Sequence, residues 1–136
     1  MESKADSLAK VKHVPRVGAP ARGTQTGRPL MVALDLMGRR SMLRILWELR
    51  DGPLTFRMLQ EGCETNSRLL NTRLKELREA GLVVHEGVGY QVTPLGRKLQ
   101  RALQPLLTWS KEWGEEMAGG GWVEPDGASA AGEMGD

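Results

Sequence analysis

Residues 55–92 read TFRMLQEGCETNSRLLNTRLKELREAGLVVHEGVGYQV, and the fold is decided there. Thr55 precedes a short pattern in which Phe56 and Leu59 share one side, so it is expected to cap a helix over 56–61 that Gly62 closes. Cys63-Glu64-Thr65 leaves room only for a tight turn. Asn66 is a second cap, because its side-chain oxygen can accept an orphan N–H two or three residues on. The helix it starts is expected over 67–80, with Gly81 as a left-handed C-cap. Residues 82–86 and 90–93 are β-prone runs around Gly87-Val88-Gly89, the pattern of a hairpin. A short helix, a tight turn, a longer helix and a hairpin make a winged helix-turn-helix.

Working outward, Pro29 suits the first position of a helix ending at Met37, since its missing N–H would be unpaired there anyway. Gly38 follows. Met42, Leu43, Ile45, Leu46 and Leu49 give an apolar face to a helix over 39–50, and Asp51-Gly52-Pro53 is a turn. Thr93-Pro94 repeats the cap-then-proline signal for a last helix to about Met117, in which Pro105 should produce a kink. The fold class is therefore mainly α with a small β-hairpin. Residues 1–27, with Pro15, Pro20, Gly18, Gly23 and Gly27, read as a disordered arm. Residues 28–117 form the winged domain with its last helix. Residues 118–136, opening on Gly119-Gly120-Gly121, read as a disordered tail.

Charge follows the same division. The arm holds five basic and two acidic residues, net +3. The middle segment holds 14 basic and 11 acidic residues, again +3, and the tail carries four acids and no base. A basic arm and a mildly basic domain suit a polyanionic partner. The rest of the composition excludes other classes. One cysteine, Cys63, rules out an intrachain disulfide and a cysteine-built zinc site. His13 and His85 lie far apart in sequence, so no metal is expected, and no cofactor motif is present. No apolar run approaches a membrane span, and residues 1–27 lack the core of a secretory signal. A cytoplasmic, nucleoid-associated protein is expected. With no phosphate loop, paired acids or nucleophile–base set, it is not expected to be an enzyme.

At 100° per residue, Leu70, Leu74 and Leu77 share one side of the 67–80 helix. Arg68, Thr72 and Lys75 fall opposite, with Asn71 at the edge, and no carboxylate precedes Glu76. In a helix-turn-helix the N-terminal residues of this helix meet base edges in the major groove. Asn66, Ser67, Arg68, Asn71, Thr72 and Lys75 are therefore the candidate DNA-binding residues. Arg39, Arg40 and Arg44, at the start of the preceding long helix, are candidates for phosphate. Arg73 lies beside the apolar side and reads as a structural ion pair with a nearby Glu. Cys63 reads as an inert small residue. Leu99, Ala102, Leu106, Trp109 and Trp113 place an apolar stripe along the last helix, which suits a partner helix in a homodimer. The alternative to a regulator of double-stranded DNA is a winged helix serving only as a protein-interaction module.

The chain resembles the HxlR-type winged helix-turn-helix regulators, relatives of the MarR group. The resemblance spans about 28–117. It rests on Arg28-Pro29 leading into 33–38, on 43–49 and Asp51-Gly52-Pro53, and on Phe56-x-x-Leu59. Leu70-x-x-Arg73-Leu74-x-x-Leu77, Gly81-Leu82-Val83, Tyr90-x-x-Thr93-x-x-Gly96-x-x-Leu99, Leu106-x-x-Trp109 and Trp113-Gly114 complete it. It implies a bacterial transcription factor that is homodimeric through its C-terminal helix and binds a pseudo-palindromic operator; whether a small-molecule effector acts on it, the sequence does not say. Three positions depart from the family pattern. Ser41 stands where a Trp is usual. Arg28 stands where thiol-sensing members carry Cys. The wing, at Gly87-Val88-Gly89, is short.

Overall fold

The computed structural model describes residues 14–120. Its elements in chain order are α1 (Pro29–Met37), α2 (Met42–Glu48) with a 3-10 turn at Leu49–Asp51, and α3 (Phe56–Cys63). There follow α4 (Ser67–Glu79), β1 (Val83–Glu86), β2 (Gly89–Val92) and α5 (Pro94–Ala118). The strands pair antiparallel, Val83 opposite Val92 and His85 opposite Tyr90. Leu54 adds an isolated bridge to Tyr90 on the outer edge of β2.

The expected caps form. Thr55 Oγ1 accepts from the Met58 N–H at 3.2 Å, and Asn66 Oδ1 accepts from the Leu69 N–H at 2.8 Å. Thr93 works in both directions: its hydroxyl donates to the Gly81 carbonyl at 2.7 Å and accepts from the Gly96 N–H at 3.0 Å. Gly96 has no freedom to be larger, because a Cβ there would run into the Leu82 carbonyl oxygen. The hairpin and α5 are thereby joined through four residues.

Two boundaries differ from the sequence reading. The second helix begins at Met42 rather than Arg39, because Arg39 and Arg40 lie in a turn that ends at Ser41 with φ 70°. The third helix passes through Gly62 to Cys63, and Glu64 takes the left-handed cap at φ 52°. The Glu48 carboxylate lies over Gly62, and a Cβ there would sit 2.5 Å from Oε1, so a larger residue would push that side chain aside.

The core is built from Leu36, Met42, Ile45, Leu46, Leu49, Leu59, Leu70, Leu74, Leu77 and Val83, with Leu54, Phe56, Val92 and Leu99 packed at its edge. The chain divides into two compact units, one ending at Gln100 and the other beginning at Arg101. α5 is continuous through Pro105. Among the described residues no helix is long and apolar enough to cross a membrane.

Residues 14–27 differ from the expected loose arm. Val14 is buried among the core residues, the Gly18 N–H donates to the Gly27 carbonyl at 2.8 Å, and Ala21 and Thr24 bridge each other. The backbone N–H of Arg22 donates to Asp35 Oδ2 at 3.3 Å on α1. Proline and glycine here build turns that return the chain to α1, where an apolar residue finds the core. The remainder of the arm (1–13) and the tail residues 121–136, with Trp122 and Val123, lie outside the described residues. Removing the two γ-methyls of Val14 should cost about 1.5 kcal/mol at ~0.8 kcal/mol per buried carbon. Val14→Ala is therefore expected to lower the urea midpoint, whereas Val17→Ala, at an exposed position, should leave it within about 0.5 kcal/mol of wild type.

Candidate nucleic-acid interface

α4 presents two unlike faces. Leu70, Leu74 and Leu77 are buried inward, while Ser67, Arg68, Asn71, Thr72, Lys75, Arg78 and Glu79 are exposed. Asn66 is exposed as well, its carboxamide occupied by the cap. Thr72 turns its hydroxyl back to the Arg68 carbonyl at 3.0 Å. The first two turns of the outer face thus carry Arg68, Asn71, Thr72 and Lys75 with no acid among them. Guanidinium, carboxamide, hydroxyl and ammonium are the groups that read base edges and hold phosphates.

The inner face also carries a charge. Glu76 is buried and takes two arginines, Arg39 on Oε2 at 2.7 Å and Arg73 on Oε1 at 2.9 Å. Arg73 Nε donates in addition to the Arg40 carbonyl at 2.7 Å. This network fastens the middle of α4 to the turn between α1 and α2. The expectation that Arg73 forms a structural ion pair holds, and its partner is Glu76. The expectation that Arg39 waits for phosphate does not, because its guanidinium lies against a buried carboxylate. Arg44 is similarly engaged: it donates to Glu48 Oε2 at 3.1 Å and to the Gly62 carbonyl at 2.7 Å, linking α2 to the end of α3. Of the three arginines expected at phosphate, Arg40 alone is exposed with its side chain in no hydrogen bond or ion pair among the described residues.

Sequence reading missed the length of this cationic surface. A groove of about 810 Å³ runs between α4 and the hairpin, lined by Asn71, Thr72, Lys75, Arg78, Val84, His85 and Tyr90 among others. Arg78 and His85 belong to it. The 100° rotation puts Arg78 beside Asn71 at the edge of the outer face, and His85 joins only when the hairpin folds against α4. Rotation at 100° per residue puts Glu76 nearer the outer side than the leucines, so its burial was not legible in sequence; Arg73, three residues before it, was the one local cue.

Two further side-chain sets were expected elsewhere. On α5, Leu106, Trp109 and Trp113 are exposed, and the two indoles stack with centroids 5.6 Å apart. Ala102 is exposed on the same helix, but Leu99 packs on the domain's own core and is not part of a free stripe. Cys63 is buried, and its thiol is pushed up to about 11, first by burial and then by the neighbouring Glu48 carboxylate, with Arg44 opposing. It is a poor nucleophile in this setting. Among the described residues no group of three or more His, Cys, Asp or Glu could hold a metal ion.

Over residues 36–118 the chain matches the HxlR-like helix-turn-helix family. It is 26% identical over 85 residues to an uncharacterized HTH-type transcriptional regulator of Methanocaldococcus jannaschii, MJ0925, covering 59% of this chain and 80% of that protein. It is 32% identical over 94 residues to another, YybR of Bacillus subtilis, covering 65% of this chain and 74% of YybR. The crystal structure of quinone-bound YodB from B. subtilis superposes with a TM-score of 0.59 at 31% identity, covering 61% of this chain and 96% of that one. The winged helix-turn-helix expected from residues 55–92 agrees with that solved fold.

Removing the Glu76 carboxylate strands two largely buried guanidinium groups, and breaking such a network from one side costs about 3 kcal/mol or more. Glu76→Ala should lose that much in urea denaturation. Glu79→Ala, three residues on but exposed, should change stability by less than about 0.5 kcal/mol.

Proposed function

The chain belongs to the HxlR-like helix-turn-helix family, a family of transcriptional regulators rather than enzymes, and on that premise we propose that it is a sequence-specific, dimeric regulator of double-stranded DNA. One observation carries the reading: the N-capped start of α4 exposes Arg68, Asn71, Thr72 and Lys75 without an acid among them. A helix of this width fits the major groove, and its first turns meet the bases. In this reading Asn66 and Ser67 lie against the backbone at the helix start, where free N–H groups favour phosphate. Arg40 holds a phosphate outside the groove. Arg39 and Arg44 shape the domain and touch no DNA. A regulator with this role works in the cytoplasm on the nucleoid.

The proposed dimer forms through α5. Leu106, Trp109, Trp113 and Met117 recur at spacings of three and four and are all exposed, which is the pattern of a helix awaiting another helix. Ala102 extends the face by one turn, and Leu99 stays with its own core. Two copies related by a twofold axis present two α4 helices, so the operator is pseudo-palindromic.

Neither thiol route to an effector is supported. Arg28 occupies the position of the sensing cysteine in the thiol-responsive relatives, and Cys63 is buried with a raised pKa. A protein-interaction module without DNA specificity would have no need of an acid-free cationic start to α4, so that alternative is not favoured.

Duplexes enriched from a random pool by the full chain supply the test. On the enriched duplex Arg68→Ala should lose about 1–3 kcal/mol by fluorescence anisotropy and relax specificity at one base pair. Arg40→Ala should weaken enriched and random duplexes alike and make the salt dependence shallower by about one phosphate. Failure to enrich any sequence would refute the reading.

The dimer has its own measurement. Leu106→Glu with Trp109→Glu would bury unpaired carboxylates at the interface, a cost of several kcal/mol. Sedimentation equilibrium should then report monomer with the winged domain still folded. A double variant that stays dimeric places the interface elsewhere.

A further inference from the structure

The hairpin runs from Leu82 to Thr93 without a lysine or an arginine. Its tip, Gly87-Val88, is uncharged. Glu86 lies on the face that carries Gln91, whose Nε2 donates to Glu86 Oε1 at 3.0 Å. Strand alternation places His85 on the other face, with Tyr90. His85 is exposed, and its ring lies parallel to that of Tyr90, 4.0 Å between centroids and 6° between planes. Tyr90 is buried, and its backbone is bonded in both directions to Leu54. The imidazole is therefore held on a fixed platform, and it faces the groove that α4 lines with Asn71, Thr72, Lys75 and Arg78.

From this arrangement we infer that His85 is a phosphate ligand: the DNA strand flanking the major groove passes between α4 and the hairpin, and His85 contacts it from the hairpin side. The inference rests on the reading of α4 as the recognition helix and adds a contact the wing otherwise lacks. His85 is the hairpin's sole group able to carry positive charge. Opposite it, Lys75 and Arg78 supply cations from α4 and Glu79 one acid. Tyr90 beneath it is neutral, and Glu86 on its own strand is turned to the far face. A phosphate placed in the groove favours the charged imidazole over the neutral one. DNA binding then takes up a proton. Affinity is highest at low pH and falls as pH rises through the range in which imidazoles titrate.

The experiment measures anisotropy of a fluorescein-labelled duplex, enriched by the full chain, between about pH 5.5 and pH 8. Wild type should lose about three- to tenfold in affinity over that interval. Its salt slope should be steeper at the acid end by about one phosphate. His85→Gln should bind three- to tenfold more weakly than wild type at the acid end, match it near pH 8, and be nearly flat between. His85→Lys should hold the acid-end affinity across the whole interval. Circular dichroism confirms that both variants keep the fold. A pH response that persists unchanged in His85→Gln assigns it to another group, His13 included, and overturns the inference. So does a loss in His85→Lys equal to that in His85→Gln. If Arg68→Ala and Lys75→Ala weaken binding while His85→Gln matches wild type at every pH, the recognition helix stands and the hairpin contact alone is wrong. If no duplex is enriched, both readings fall.

Discussion

A buried carboxylate fixes the orientation of α4. Glu76 lies inside the domain and is held by Arg39 and Arg73, one arginine on each oxygen. An amphipathic helix packed by leucines alone can rotate by a fraction of a turn at little cost, because apolar contacts are not directional. Charge-assisted hydrogen bonds are directional. With Glu76 pinned from the α1–α2 turn and Arg73 pinned to the Arg40 carbonyl, the rotation of α4 about its axis is set. The face bearing Arg68, Asn71, Thr72 and Lys75 then points outward as a consequence. The left-handed φ of Ser41 lies in the same turn.

A second constraint positions the hairpin. Leu54 bonds both ways to Tyr90, so the hairpin is anchored along its outer edge. Thr93 and Gly96 join its far end to the C-terminus of α4. The first turns of α5 are tied in turn to the end of α2, where Gln100 donates to the Leu46 carbonyl at 2.8 Å and Arg97 to the Arg50 carbonyl at 2.9 Å. The groove between α4 and the hairpin is thus walled by two elements that are each bonded to a third. Preorganised walls of this kind lose little entropy when a strand is seated between them.

The same bonds explain why few of the cations are available. Arg39, Arg44, Arg73 and Arg97 all donate to carboxylates or carbonyls within the domain. Their planar, many-donor groups suit such internal bracing. On α4 and in the turn before α2, the exposed cations with no such internal bond among the described residues are Arg40, Arg68, Lys75 and Arg78. Cys63 follows a parallel logic, since burial beside Glu48 suppresses its thiolate.

Most of the architecture was legible because it is written in local chemistry. Caps at Thr55, Asn66 and Thr93, prolines at first helical positions and the leucine spacing of α4 act over a few residues, so sequence alone determined the order of helices and the hairpin, and the outer face of α4. Sequence could not decide which arginines remain free. Arg39 meets Glu76 across 37 positions and Arg44 meets the Gly62 carbonyl across 18, and no periodicity links such pairs. Nor could it decide that Val14, in a stretch rich in proline and glycine, would reach the core, or that Gly62 would lie inside a helix beneath Glu48. Local hydrogen bonds and turn preferences depend on neighbours in the chain. The use of a charge or a methyl group depends on what is brought beside it in space, which only the packed tertiary structure specifies.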